Sequence, residues 1–570
     1  MVRLTSYLLV VVVAAIPLFA DPPRPVVDAV PDTFTPVALD QQHLAGLLAS
    51  RLRANNEGYL EHIDTEALLK PHPAEEQNRT AGSAGLFLQA AANSYDYTDD
   101  VQLKRVMDGV ARKLIAAQDP SGFLRTYTGP KEWSALDLPA LSNEMLGLLS
   151  YSYVTGDEDA FAVARRLADF LVASFGASKN EKPAAAIALL RPMLDLYRHT
   201  GDQRYLLLSE ALAKTKIAPS EDLENALFYA GGLAELYRLN GDESNLKLAV
   251  ADWHDVHDKH LSITGAPLLS SHNAHQENGG SLCQTVAWMQ LTLDLLRITG
   301  QPQYADELER TVYNQLLAVQ DPATGRIYDG APMQGSKKTV ISASACDSAE
   351  PVGISQIPDA VWGRYGYGIA VLTYAPGRAT LHLRRRATVQ IYSEGNFPES
   401  GNISIHVEPS HDVRFPVRLR VPTWTKHFVA EIGGGRMVGT PGDFLVIDRE
   451  WKKGDTIRLT IDMPVLKRTS PEWPGQIAIQ RGPQILALAR NVNPQLQDLG
   501  NAAWASELPE SLTAGGPDTK MPFGAVEQGY AIPGEYQGKP QQLVLLPFAD
   551  ATAYRVWLNA PPSLLSALHQ

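Results

Sequence analysis

The tetrapeptide LNGD at Leu239–Asp242 separates two segments of helical pattern, and its reading decides the fold. Four other stretches repeat the phrase: YTDD at Tyr97–Asp100, VTGD at Val154–Asp157, HTGD at His199–Asp202 and ITGQ at Ile298–Gln301. Recurrence every roughly 40 to 60 residues is the signature of repeated paired helices. Where glycine is present it supplies a left-handed helix terminus, and the aspartate after it can cap the next helix.

The flanks carry the matching period. Leu103, Val106, Val110 and Leu114 follow the first turn, and Tyr304, Leu308, Val312 and Leu316 follow the last. Steps of three and four place each set on one apolar face. About six such hairpins closing into a ring would make an (α/α)6 toroid, with an open solenoid as the alternative. The ring is favoured because the repeats stop at about that number and the pattern changes.

The change comes near Tyr374. Alternation with period two takes over at Ile403, Ile405 and Val407, then at Val417, Leu419 and Val421, then at Ile457, Leu459 and Ile461. These are half-buried strands, with EIGGGRMVG and KKGD as turns between them. The chain is therefore α then β, with four segments expected. They are a signal peptide at 1–20, the toroid at 21–374, a β-sandwich at 375–490, and a loop plus C-terminal β segment at 491–570. The loop is expected between Asn491 and Gly538, with strands resuming at QQLVLLPF and YRVWL.

A chain of 570 residues is too long for one core. The formal charge of -13 speaks against nucleic acid, whose binding rests on Lys and Arg. The same charge speaks against anionic membranes, and Arg384–Arg386 reads as a solvated strand face. The start, MVRLTSYLLVVVVAAIPLFA, has a basic Arg3, an apolar run from Leu8 to Ala15 and a small residue at Ala20. That is the pattern of a cleaved signal, so the mature protein is expected to be secreted or periplasmic, with no membrane attachment after cleavage. In such a compartment Cys283 and Cys346 have three open states: a disulfide, a shared metal, or buried free thiols.

One stretch concentrates chemistry. HNAHQENGGSLCQTVAW, His272–Trp288, holds two histidines, a glutamate and one of two cysteines. Trp133, Trp253, Trp288 and Trp362 read as packing residues, with a sugar-stacking role open for one or two.

Several stretches together resemble glycoside hydrolase family 127, the β-L-arabinofuranosidase-like group. They are FLQAAANSYDYTDD with IAAQDPSGFLRTY, then YAGGLAELYRLNGD, then CQTVAWMQLTLDLLRITGQPQYADELERTVYNQLLAVQDPATG, and finally VRLRVPTWT with IAIQRGPQILAL. The likeness runs in order along most of the mature chain. It implies a toroid followed by β-sandwiches, and a retaining enzyme that removes arabinofuranose. It also implies zinc held by a Glu-x-Cys motif and a later Cys-Cys pair, whose first cysteine is the nucleophile, with a separate glutamate as acid/base.

The sequence departs from that pattern where the chemistry sits. The Glu-x-Cys motif reads SLC, so Cys283 is kept while Ser281 replaces the carboxylate. The Cys-Cys pair reads Ala345-Cys346, so a methyl group stands at the nucleophile. The family's His-Lys falls near Leu141-Ser142 and its Gly-His near Glu221-Asp222. What remains implies Glu277 as acid/base with Asp347 as a weaker catalytic partner, and His272, His275 and Glu350 toward substrate. Cys283 and Cys346 are the residual metal positions, better placed for a disulfide. No cofactor is expected, with zinc as the alternative. The function expected is an exported glycoside hydrolase on arabinofuranosides or related sugars, its mechanism changed from the zinc-thiolate one. An inactive carbohydrate-binding relative is the rival, and a lyase or epimerase the third reading. Oligomeric state is not legible.

Overall fold

The computed structural model describes residues 26–69, 72–73, 82–124, 127–128, 137–175, 184–268, 280–339, 345–383, 387–471, 473–504, 512, 519–520, 526–527 and 529–560. Residues 1–20, expected to be a signal peptide, and Trp133, Arg384–Arg386, His272, His275 and Glu277 lie outside them.

Thirteen α-helices are described: α1 Gly46–Arg53, α2 Thr65–Leu69, α3 Ser83–Thr98, α4 Val101–Ala116, α5 Asp137–Thr155, α6 Glu158–Phe175, α7 Leu190–Thr200, α8 Gln203–Leu212, α9 Leu223–Asn240, α10 Glu243–Lys259, α11 Leu282–Thr299, α12 Pro302–Arg310 and α13 Ala345–Ser355. The five repeated turns join α3 to α4, α5 to α6, α7 to α8, α9 to α10 and α11 to α12. Each turn has a left-handed residue, at φ 54° for Asp99, 73° for Gly156, 70° for Gly201, 76° for Gly241 and 67° for Gly300. The next aspartate then caps. Asp100 accepts from the Gln102 and Leu103 amides at 2.7 and 3.0 Å, and Asp157 from Ala160 at 2.8 Å. Asp202 and Asp242 cap α8 and α10 in the same way. The fifth turn has Gln301 instead, and Pro302 starts the helix, where its missing N–H costs nothing.

The helices close into a ring. α3 packs on α5, α5 on the segment leading into α7, α7 on α9, α9 on α11, α11 on α13, and α13 back on α3. This α13–α3 contact rules out an open solenoid. The α3–α5 crossing is backbone to backbone: a Cβ on Gly85 would lie 2.1 Å from the Asn143 carbonyl oxygen, and one on Gly147 2.3 Å from that of Gly85. Trp253, Trp288 and Trp362 are all buried, and Trp253 stacks on Trp288 with centroids 5.2 Å apart. They are packing residues.

The far end of the ring is tied by residues 26–33. This strap crosses the C-terminal ends of α7, α9 and α11, where helices leave carbonyls unpaired. The amides of Val26, Val30 and Thr33 donate to the carbonyls of Arg198, Arg238 and Arg297. Asp28 takes the Arg198 guanidinium at 2.7 Å, and Asp32 takes both Arg238 and Arg297 at 2.9 Å. The three arginines occupy one position in the repeat, three residues before the turn glycine.

Beyond α13 three larger sheets follow, besides a two-stranded one of Thr519–Lys520 and Val526–Glu527. The first has five strands, in the order Phe34–Pro36, Trp362–Tyr365, Gly368–Val371, Val413–Arg420, Phe444–Trp451. The second has seven, Gly435–Val438, Phe428–Ile432, Asp455–Ile461, Asn402–Pro409, Thr388–Glu394, Gly377–His382 and Gln42–Leu44. Their buried faces are the alternating residues of the sequence pattern: Ile405 pairs with Ile457 and Ile403 with Leu459, all buried. Gly433-Gly434, both at positive φ, turn the hairpin between Phe428–Ile432 and Gly435–Val438. The third sheet has nine strands and carries Lys539–Pro547 beside Tyr530–Tyr536.

Two sequence expectations need amendment. The strands Phe34–Pro36, Gln42–Leu44 and Gln334–Ser336 come from stretches read as helical-repeat territory, yet they pair within the β-sheets. Three residues are too few to show a period of two. The region from Asn491 to Gly538 is also not one loop, because Ala502–Trp504 and Tyr530–Tyr536 pair within it.

Candidate active site

A cavity lies at the ring's centre, walled by the first three turns of the inner helices. Gln89 comes from α3, Ser142 and Asn143 from α5, Arg191 from α7, Glu224 and Gly231 from α9, Cys283 and Gln290 from α11, and Ala349 and Val352 from α13. Helix N-termini present unpaired N–H groups and a positive dipole end, so the wall favours ligand oxygens. Apolar Leu86, Leu227, Phe228 and Val286 fill the spaces between. Such a mixture, mostly apolar with a few fixed polar groups, is the usual make-up of a small-molecule site.

Cys283 stands in the first turn of α11 and is disulfide-bonded. The sequence holds one other cysteine, Cys346, in α13, whose side chain lies outside the described residues. Of the states open to Cys283 in the sequence, this is the disulfide, and a sulfur bound to sulfur is not the thiolate that zinc requires. Ser281 starts α11 where the family pattern has a carboxylate. The described donors do not fit a zinc ion.

Asp347 and Glu350 both lie on α13 and are buried. Burial first, and then the charge of Asp347, push the Tyr59 hydroxyl up to about 12, which places Asp347 beside Tyr59. Glu350, expected toward substrate, is turned away from the cavity that Ala349 and Val352 line. It is fully buried, and neither carboxyl oxygen has a hydrogen-bond partner among the described residues. Burial alone pushes it well above the ordinary carboxylate range. Of the positions aligned with the family's histidines, Ser142 lines the cavity and donates to the Ala188 carbonyl at 2.7 Å. Asp222 caps α9 from an exposed position.

Two cavity residues went unnoticed in the sequence. Glu224, in the first turn of α9, is the one carboxylate lining the cavity among the described residues. Burial, with a smaller push from Asp222, raises it to about 6. Its sequence setting reads as ordinary helix-start chemistry, where acidic residues are common. Arg191, in the first turn of α7, is the matching sole cation. One of its nitrogens is held by Asp294 of α11. A Cβ on Gly231 would come within 3.1 Å of that same nitrogen, so glycine makes room for the guanidinium. A pair of mid-helix glycines, Gly231-Gly232, was the available signal, since glycine there costs about 1 kcal/mol against alanine.

The comparisons agree with this architecture. Residues 47–350 match the model of the beta-L-arabinofuranosidase GH127 catalytic domain, and residues 368–463 match the GH127 middle domain. A non-reducing end beta-L-arabinofuranosidase of Bifidobacterium longum subsp. longum is 25% identical over 543 residues, covering 77% of this chain and 78% of that protein. A solved GH127 beta-arabinofuranosidase superposes with a TM-score of 0.78 at 19% identity, covering 93% and 98% of the two chains. Another, from Geobacillus stearothermophilus T6, gives 0.76 at 18% identity, covering 91% and 100%. Likeness at these identities carries the fold.

Proposed function

The chain belongs to glycoside hydrolase family 127, and on that premise we propose that it is an exported hydrolase of β-L-arabinofuranosides or closely related glycosides, working without the zinc-thiolate centre. One observation carries the change of mechanism: Cys283 stands at the family's metal position with its sulfur already bonded. Cys346 is its partner in this reading, being the chain's other cysteine. Bond cleavage then falls to carboxyl groups. On the sequence alone this role falls to Glu277, the carboxylate nearest the family's acid/base position, with Asp347 as a weaker partner; Asp347 is not among the residues lining the cavity. The bonded sulfur also supports export, because disulfides persist in oxidising compartments. The basic start and apolar run of the first twenty residues support the same reading. Among the described residues no helix is long and apolar enough to cross a membrane.

The same observation favours a second reading, a carbohydrate-binding relative without turnover, since Ser281 and Ala345 replace reactive groups. Aryl arabinofuranosides assayed with and without chelator separate the two. Release of arabinose unaffected by chelator is the expected result. Binding without release would favour the second reading. Chelator-sensitive release that vanishes in Cys346→Ser would restore the zinc mechanism.

A further inference from the structure

We propose that Glu224 is the carboxyl that protonates the leaving-group oxygen in this cavity. The inference rests on the hydrolase reading above and assigns its acid to Glu224 in place of Glu277. Three placements carry it. Glu224 sits in the first turn of α9, as Cys283 sits in the first turn of α11, and both line the cavity with Arg191 of α7. Helices α7 and α11 are the inner-ring neighbours of α9, so Glu224 lines the same cavity as the family's metal position, while the Arg191 guanidinium reaches across α9 at Gly231 to Asp294. No other carboxylate lines the cavity among the described residues.

The surroundings suit the role. Glu224 is half-buried, so it reaches the cavity while losing part of its hydration. A general acid needs a proton to give near the working pH, and burial keeps this one protonated longer than an exposed glutamate. Arg191 is engaged by Asp294 and does not appear among the charges acting on Glu224. A cation beside the carboxyl would have held it ionised instead.

The step balances within hydrolysis. The Glu224 proton passes to the glycosidic oxygen as its bond to the anomeric carbon breaks, and the alcohol leaves. Water then supplies the oxygen at that carbon. The proton it sheds returns to Glu224 through solvent, so one water is consumed for each bond cleaved. The bland alternative is that Glu224 merely complements the α9 dipole, worth about 0.3–1 kcal/mol in stability and nothing in rate.

Leaving-group dependence decides between them, because a good leaving group needs no proton. The full chain with Glu224→Gln and Glu224→Asp would be assayed on a 4-nitrophenyl arabinofuranoside and on a methyl arabinofuranoside, with melting curves to confirm folding. For Glu224→Gln the expected result is a fall of roughly 10²–10⁴-fold in kcat/KM on the methyl glycoside. Most of the rate on the nitrophenyl glycoside should survive, the alkaline limb of the pH profile should disappear, and Glu224→Asp should recover part of the loss. Unchanged cleavage of both substrates by a folded Glu224→Gln would overturn the assignment while leaving the hydrolase reading intact. A wild-type chain that cleaves neither substrate would overturn both.

Discussion

The carboxylate of Asp32 lies 2.9 Å from Arg238 and 2.9 Å from Arg297, so a residue before the first helix joins the ends of α9 and α11. Arg198, Arg238, Asp28 and Glu235 extend the pairing, and Glu235 is held below the usual carboxylate range, where burial is outweighed by Arg198 and then Arg238. Removing one partner from such a site leaves the others buried and uncompensated. Asp32→Asn should cost about 3–5 kcal/mol, read as a lower urea midpoint. For Glu235 the folded value lies below the unfolded one. Its contribution is therefore present above the unfolded value and is lost as acid takes the pH down toward the folded one. Acid unfolding that sets in at the same pH in wild type and Glu235→Gln would contradict this.

The bonded Cys283 predicts a redox-dependent melt. Cys283→Ser, or reduction of the wild type, should lower stability by roughly 2–5 kcal/mol. Peptide mapping without reductant should join the peptide of Cys283 to that of Cys346. Two free thiols by titration of the unfolded, unreduced chain would refute it.

Glu350 should be dispensable for substrate. Its carboxyl is fully buried without a described partner, and its folded value is raised. A raised carboxyl contributes stability below its unfolded value, and that contribution is lost as pH rises toward the folded value. Glu350→Leu should therefore stabilise the protein at neutral pH, by about 1–3 kcal/mol, with KM unchanged. A raised KM would return Glu350 to the site.

Lys337 predicts the opposite kind of group. Its ammonium donates to the Phe548 and Ala549 carbonyls at 3.0 and 2.9 Å, among the rings of Phe548, Tyr554 and Tyr328. Burial, then Arg51, lowers it to about 7. Between that value and the ordinary lysine value the unfolded chain binds more protons, so stability rises with pH across the window. Lys337→Met should flatten that rise in chemical denaturation at about pH 7 and about pH 10.

Gly231 tests Arg191 without removing it. Alanine at mid-helix gains about 1 kcal/mol in propensity, so Gly231→Ala should fold normally. The new methyl displaces the guanidinium, and KM should rise several-fold with the melting temperature held. An unchanged KM would mean that Arg191 only balances charge.

Much was legible from local chemistry. The turn glycines and the aspartates after them act within a few residues, so the hairpins could be read directly, and the period of Ile403, Ile405 and Val407 marked a strand for the same reason. Cys283 and its missing carboxylate and nucleophile were visible as letters in a motif. What tertiary structure alone decided depends on residues far apart in sequence. The ring closes because α13 meets α3, and a repeat pattern does not encode which of its ends touch. Glu224 and Glu350 are both glutamates in helices, and nothing near either one distinguishes them. One faces the cavity and the other packs away from it because burial is a property of the assembled ring. Arg191 and Asp294 meet only when α7 and α11 lie on either side of a helix carrying glycine between them.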